Sequence, residues 1–168
     1  MTIFRMAGNG MGSSAAPILF LDFDGVTHPD PCDKERLFES LPLIESVLHR
    51  FPDVRVVLST TWRQNHPIEE LRGLFSDAIA SRVIGGTPTI SDYDRDWYPV
   101  ALSERPRQRE IEAWLHQNRT LAHSWVAIDD RPHWFNTECP NLLVTDRATG
   151  FTESSAGQLQ QMILERLP

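Results

Sequence analysis

The run Pro17-Ile18-Leu19-Phe20-Leu21-Asp22-Phe23-Asp24-Gly25-Val26-Thr27-His28 decides how this chain is read. Ile18 to Leu21 form a continuous apolar segment of strand length, the pattern of a strand buried on both faces. Asp22 and Asp24 follow at once, and Gly25 allows a sharp turn. In extended backbone, residues i and i+2 share a side, so both acids are expected to meet at the strand's carboxyl end. Two anions so close repel unless a cation or a proton lies between them. Asp and Gly are also common turn residues, so this stretch alone admits an acidic turn as well as a site.

Working outward, the remaining segments alternate. A helix is predicted from Ser40, with Leu43, Ile44, Val47, Leu48 and Phe51 as its apolar stripe. Val54 to Leu58 reads as a second buried strand ending in Ser59, Thr60 and Thr61. A short helix over Pro67 to Phe75 with Ile68, Leu71 and Leu74 inward precedes a weaker strand, Arg82 to Ile84, closed by Gly85-Gly86. A helix from about Arg105 to Gln117, with Ser103 as cap, leads to the strand Trp125 to Ile128, which delivers Asp129 and Asp130. Leu142 to Val144 and a closing helix near Ser155 to Leu167 complete the series.

Strand–helix alternation with apolar strands predicts a three-layer α/β/α fold with a mainly parallel, Rossmann-like sheet of about five strands. Ligands in such sheets bind beyond the carboxyl ends of the strands. Three predicted strand ends carry Asp22/Asp24, Ser59/Thr60 and Asp129/Asp130, and that coincidence favours a site.

Composition sets the bounds. At 168 residues, the chain is expected to form a flexible leader over 1–16 and a single domain over 17–168. The irregular stretch 87–103 is long enough for a small lid and too short for a folded cap. Hydrophobic content of 40% and charged content of 23% are ordinary for a soluble protein. No apolar run reaches the roughly 20 residues that span a bilayer. Cys32 and Cys139 form no C-x-x-C pair, which points to a reducing cytoplasm and away from a disulfide framework. Net charge of −7 argues against non-specific nucleic-acid binding. Lys34 is the only lysine.

In order, these motifs resemble the haloacid dehalogenase-like superfamily of phosphohydrolases. Asp22-x-Asp24-Gly25-Val26 is similar to its first motif, Ser59 to its second and Asp129-Asp130 to its fourth. Ser59-Thr60-Thr61-Trp62-Arg63 and Thr149-Gly150-Phe151-Thr152 resemble small members of it. The resemblance implies a Mg²⁺-dependent phosphatase in which Asp22 attacks phosphorus and forms an aspartyl-phosphate, while Asp24 acts as general acid and base. It also implies Asp22, the Asp24 carbonyl and one of Asp129 or Asp130, with Asp130 favoured, as metal ligands. Ser59, with Thr60 as the fallback, would bind the phosphoryl group.

The third motif departs from the family, whose lysine opens a helix; Lys34 lies too early to serve. Arg105, Arg107 and Arg109 compete for the role. Arg107 precedes Ile111 by four residues and Trp114 by seven, so it shares the sheet-facing stripe and is the choice. Arg109 falls with Glu112, Ala113 and His116 on a more solvated face. Arginine binds phosphate in a fork but does not reproduce a compact ammonium.

Next to the loop after Asp24, His28 could touch substrate but reads first as an ordinary loop residue, as do His133 and Trp134, and the tryptophans read mostly as core or lid. The expected partner is a phosphorylated substrate, bulky if the site lacks a cap, with no membrane, nucleic acid unfavoured, and an oligomer as the other way to close the site. The rival from another class is a non-catalytic phosphate- or partner-binding domain. A phosphatase of nucleotides or nucleic-acid ends is a substrate variant of the main reading. A dehalogenase is disfavoured by the acid at Asp24, and a receiver domain by the order of its acids.

Overall fold

The computed structural model describes residues 17–90, 105–118 and 124–167. Strands β1 (Ile18–Leu21), β2 (Arg55–Leu58), β3 (Val83–Gly86), β4 (Trp125–Asp129) and β5 (Leu142–Val144) form one sheet in the order β3-β2-β1-β4-β5. Every pairing is parallel. The α-helices are α1 (Leu41–Arg50), α2 (Ile68–Arg72), α3 (Asp77–Ala80), α4 (Pro106–Gln117) and α5 (Glu153–Leu164), with short 3-10 turns between elements. This is the three-layer, Rossmann-like α/β/α arrangement expected from the alternation of apolar strands and helices.

Alternation along the strands splits the core in two. Leu19, Leu21, Val56, Leu58, Val126 and Ile128 face one side, where α1 contributes Ile44 and Leu48 and α5 contributes Leu159 and Ile163. Ile18, Phe20, Val57 and Ala127 face the other, covered by Ile111, Trp114 and Leu115 of α4. Phe20 meets Trp114 and Trp125 edge-on at 5.6 and 5.9 Å, the geometry the ring quadrupoles favour. With both faces covered, β1 is buried along its whole length.

Register then places the strand ends level. Leu21 pairs with Leu58 on one side and Ile128 on the other. The next residues, Asp22, Ser59 and Asp129, therefore leave the three central strands side by side. Backbone bonds hold that level: Asp22 N–H donates to Ile128 O at 3.1 Å and Ser59 N–H to Leu21 O at 2.9 Å.

Several local expectations are corrected. The helix expected over Pro67 to Phe75 is present but shorter, as α2 (Ile68–Arg72), a further short helix α3 follows it at Asp77–Ala80, and Leu74 is exposed while Leu71, Phe75 and Ile79 fill the core. Gly85 and Gly86 belong to β3 instead of closing it. A Cβ on Gly86 would stand 2.9 Å from Ile68 Cδ1 and 3.3 Å from Leu58 O, so β3 passes closely under α2 there. Ser40 precedes α1 without a side-chain cap bond. α5 starts at Glu153, because Thr152 and Ser155 form a reciprocal capping box. Ser103, the leader over 1–16, and most of the expected lid lie outside the described residues.

Candidate active site

The loop after β1 builds the first part of the site. Val26 N–H and Thr27 N–H both donate to Phe23 O, at 3.0 and 2.8 Å, while Gly25 adopts φ +72°. This tight turn leaves Asp22 buried and Asp24 half-buried beside it. A Cβ on Gly25 would lie 2.6 Å from Asp130 Oδ2, so the turn and the end of β4 touch at a point where only glycine fits. Thr145 Oγ1 donates to Gly25 O at 2.8 Å, and Phe151 N–H to Val26 O at 2.8 Å, bracing the turn from the far end of the chain.

Oxygen atoms of Asp22, Asp129 and Asp130 lie within 4.8 Å of one another. Asp22 Oδ1 accepts a bond from Phe23 N–H at 2.8 Å. Asp129 Oδ1 accepts from Arg131 N–H at 2.9 Å and its Oδ2 from Arg107 Nε at 3.2 Å. Asp130 Oδ1 is buried and accepts no hydrogen bond. Burial first, and the neighbouring Asp129 carboxylate next, push the Asp22 carboxyl up to about 8, against Arg107 and the Phe23 amide. Burial likewise raises Asp129 to about 6, with Arg107 opposing, and raises Asp130. Desolvated acids with one orphaned oxygen are the donor set a hard divalent cation takes. The residues fit Mg²⁺.

Asp24 has a different environment. Its Oδ1 accepts from Trp62 Nε1–H at 2.9 Å and lies 3.2 Å from His28 Nε2. The His28 contact first, and Trp62 among the rest, hold its carboxyl below the ordinary range despite burial. A cleft of about 240 Å³ opens beside it, lined by Thr61, Trp62, Asn65 and His66. The two carboxylates of one strand end thus sit in different surroundings, Asp22 buried among acids and Asp24 hydrogen-bonded beside a cleft.

Ser59 and Thr60 are both buried. Thr60 Oγ1 is occupied in accepting from Trp62 N–H at 3.3 Å, where it starts the 3-10 turn Thr61–Gln64. Arg107 is buried at the start of α4. Its Nη2 lies 3.9 Å from Asp22 Oδ1 and its Nη1 donates to Glu110 Oε2 at 3.0 Å. Burial depresses its pKa, but Asp22, Asp129 and Glu110 together raise it further, so it stays a guanidinium. The Cζ atom lies 5.5 Å from the centroid of the Trp134 ring, and the Cζ of Arg131 is 4.2 Å from that same centroid. Arg105 instead bonds Asn136 at 2.8 Å, away from the acids.

The structure therefore gathers Asp22, Asp24, Asp129, Asp130 and Arg107 at one end of the sheet, with Ser59 level with Asp22. Trp62 packs against the core, as expected, and also donates Nε1–H to Asp24, while His28, read as a loop residue, lies against the same carboxylate. Glu110 and Arg63 also join the network unannounced. The run Ser59 to Arg63 held the only signal for Trp62 and Arg63, and His28 sits one helical turn after Asp24.

A parallel sheet whose central strand ends in a paired-acid turn, faced by a second acidic pair, defines a phosphohydrolase of the haloacid dehalogenase-like superfamily in the general sense. Over residues 18–156 the chain matches the family described as the HAD domain in Swiss Army Knife RNA repair proteins, and it belongs to that family. No curated protein and no solved structure matches it.

Proposed function

We propose that this protein is a Mg²⁺-dependent phosphatase that hydrolyses phosphate monoesters through Asp22. The observation that carries the reading is the contrast between the two acids of the first motif. Asp22 is buried against Asp129 and Asp130, while Asp24 is held at the mouth of a cleft by Trp62 and His28.

In this reading Asp22 attacks phosphorus in line, and the bond to the leaving oxygen breaks as Asp24 supplies its proton. Asp24 then takes a proton from the water that hydrolyses the aspartyl-phosphate, returning Asp22 and releasing inorganic phosphate. Ser59 donates to the phosphoryl oxygens, with Thr60 as the fallback donor, and Arg107 supplies positive charge. Mg²⁺, held by Asp22, the Asp24 carbonyl and Asp130 with Asp129 behind it, would neutralise charge on the phosphoryl group. Asp130 is preferred because both oxygens of Asp129 are already engaged. The single domain spans 17–168, and its location is cytoplasmic. Among the described residues, no helix is long and apolar enough to cross a membrane.

A second substrate reading is a nucleic-acid end. The family's description refers to RNA repair proteins, which favours a terminal phosphate on RNA. The net charge of −7 opposes broad affinity for a polyanion. A terminal monoester, however, needs only local cations, and the partly exposed Arg131 and Arg147 flank Asp130 at 3.7 and 3.8 Å.

The test is hydrolysis of p-nitrophenyl phosphate with Mg²⁺, with EDTA, and by Asp22→Asn, followed by 5′- and 3′-phosphorylated RNA oligonucleotides. Metal-dependent turnover abolished by Asp22→Asn supports the mechanism. Full activity in Asp22→Asn overturns it, and Mg²⁺ binding without turnover on any substrate favours a non-catalytic binding domain.

A further inference from the structure

The guanidinium of Arg107 is pinned on two edges. Nε donates to Asp129 Oδ2 at 3.2 Å and Nη1 to Glu110 Oε2 at 3.0 Å, which leaves Nη2 as the nitrogen turned toward Asp22. Glu110 is shared. Arg63 Nη2 lies 2.8 Å from that same Oε2 atom. Arg63 is itself fastened to backbone: Nε donates to Thr87 O at 2.7 Å, Nη1 to Thr60 O, and Nη2 to Pro88 O at 3.4 Å. A chain of contacts thus runs from the loop after β2, which carries Ser59 and Thr60, through Arg63 and Glu110 to Arg107 on α4. The side chains of Arg63 and Arg107 are 4% and 3% exposed, so water does little to screen these ion pairs.

We propose that Glu110 and Arg63 are positioning residues that fix the orientation of Arg107 relative to Ser59. An ammonium is a point charge and needs no orientation about its own axis, whereas a planar guanidinium presents the right edge only if its plane is fixed. Arginine in place of lysine therefore requires a tether, and Glu110, itself tied to the Ser59 loop by Arg63, is that tether. The inference rests on the reading of Arg107 as a phosphate-binding group.

A double-mutant cycle tests it. Glu110→Ala and the near-isosteric Glu110→Gln are made in the parent chain and in Arg107→Lys. Turnover of p-nitrophenyl phosphate, affinity for inorganic phosphate with Mg²⁺, and melting temperature are measured for each. In the parent, Glu110→Ala lowers kcat and phosphate affinity, kcat on the order of 10- to 100-fold, and Glu110→Gln less. In Arg107→Lys the same changes cost little more, because the group they orient is gone. Arg63→Met follows the pattern of Glu110→Ala. Melting temperatures fall alike in both backgrounds and do not track the coupling. Equal fold-losses in both backgrounds overturn the proposal. Coupling in phosphate affinity without turnover on any substrate leaves the tether standing and removes the phosphatase reading. Absence of phosphate binding in the parent chain overturns both.

Discussion

Arg107 Nη2 stands 3.9 Å from Asp22 Oδ1, within ion-pair range and beyond hydrogen-bond range. Each group therefore keeps hydrogen-bonding capacity toward a third one. The neighbouring carboxylates outweigh this single cation, and the imbalance has consequences for pH and metal.

Metal-free protein should lose stability as pH rises. Asp22 is pushed from 3.8 up to about 8, so across that window the folded chain holds a proton that the unfolded chain has released. Stability from this group is complete below the unfolded value and is lost as pH climbs through the folded one. Asp129, raised to about 6, adds to the lower part of the window. Asp24 runs the other way: its depressed pKa contributes above the ordinary carboxyl value and is lost only in acid. The expected outcome in EDTA is a melting temperature that falls from pH 5 to pH 8, more steeply than in Asp22→Asn. Mg²⁺ should raise it most at pH 8. A flat profile shared by both proteins would contradict the burial described for Asp22.

Trp62→Phe keeps the ring and removes the Nε1–H donated to Asp24 at 2.9 Å. A bond to a charged acceptor contributes about 1.5–3 kcal/mol when buried, and the partial exposure of Asp24 reduces this to roughly 1 kcal/mol. The expected loss is about fivefold in kcat/KM. With one donor gone, the Asp24 pKa rises, and the limb of the pH–rate profile it governs moves to higher pH. A pH profile identical to that of the parent would count against this role for Trp62.

Two glycines should respond with opposite sign. Gly25→Ala meets Asp130 Oδ2 at 2.6 Å and must hold φ +72°. The left-handed conformation alone costs roughly 1–2 kcal/mol. Displacement of Asp130 should also weaken Mg²⁺ binding, read by titration calorimetry. Gly157→Ala, exposed inside α5 with nothing within 4 Å of the new Cβ, should stabilise by about 0.5–1 kcal/mol and leave the metal affinity unchanged.

What the sequence disclosed and what it withheld divide along a physical line. Strand burial, the order of elements, and the acids at strand ends depend on local pattern, so Asp22, Asp24, Asp129 and Asp130 were legible, and the apolar stripe of α4 singled out Arg107. Contacts that local pattern does not encode were not. Trp62 reaches Asp24 across 38 positions, and Arg63 finds Glu110 only after the loop beyond β2 has packed against α4. His28 lies 10 residues before Phe38, whose N–H reaches its Nδ1 at 3.4 Å. The same spacing in a loop open to solvent would signify nothing.

The brace on the first turn constrains how the protein comes into being. Thr145 reaches Gly25 across 120 positions, and Phe151 secures Val26 from still further along. A nascent chain that stops short of Thr145 has made β1 and both acids of the first motif, yet the turn after them has only its local bonds to Phe23 O. The acid pair is made more than a hundred residues before the groups that brace it. A stalled intermediate of that length should therefore expose an acidic loop without this brace, and the turn gains it only once the segment carrying Thr145 and Phe151 has docked.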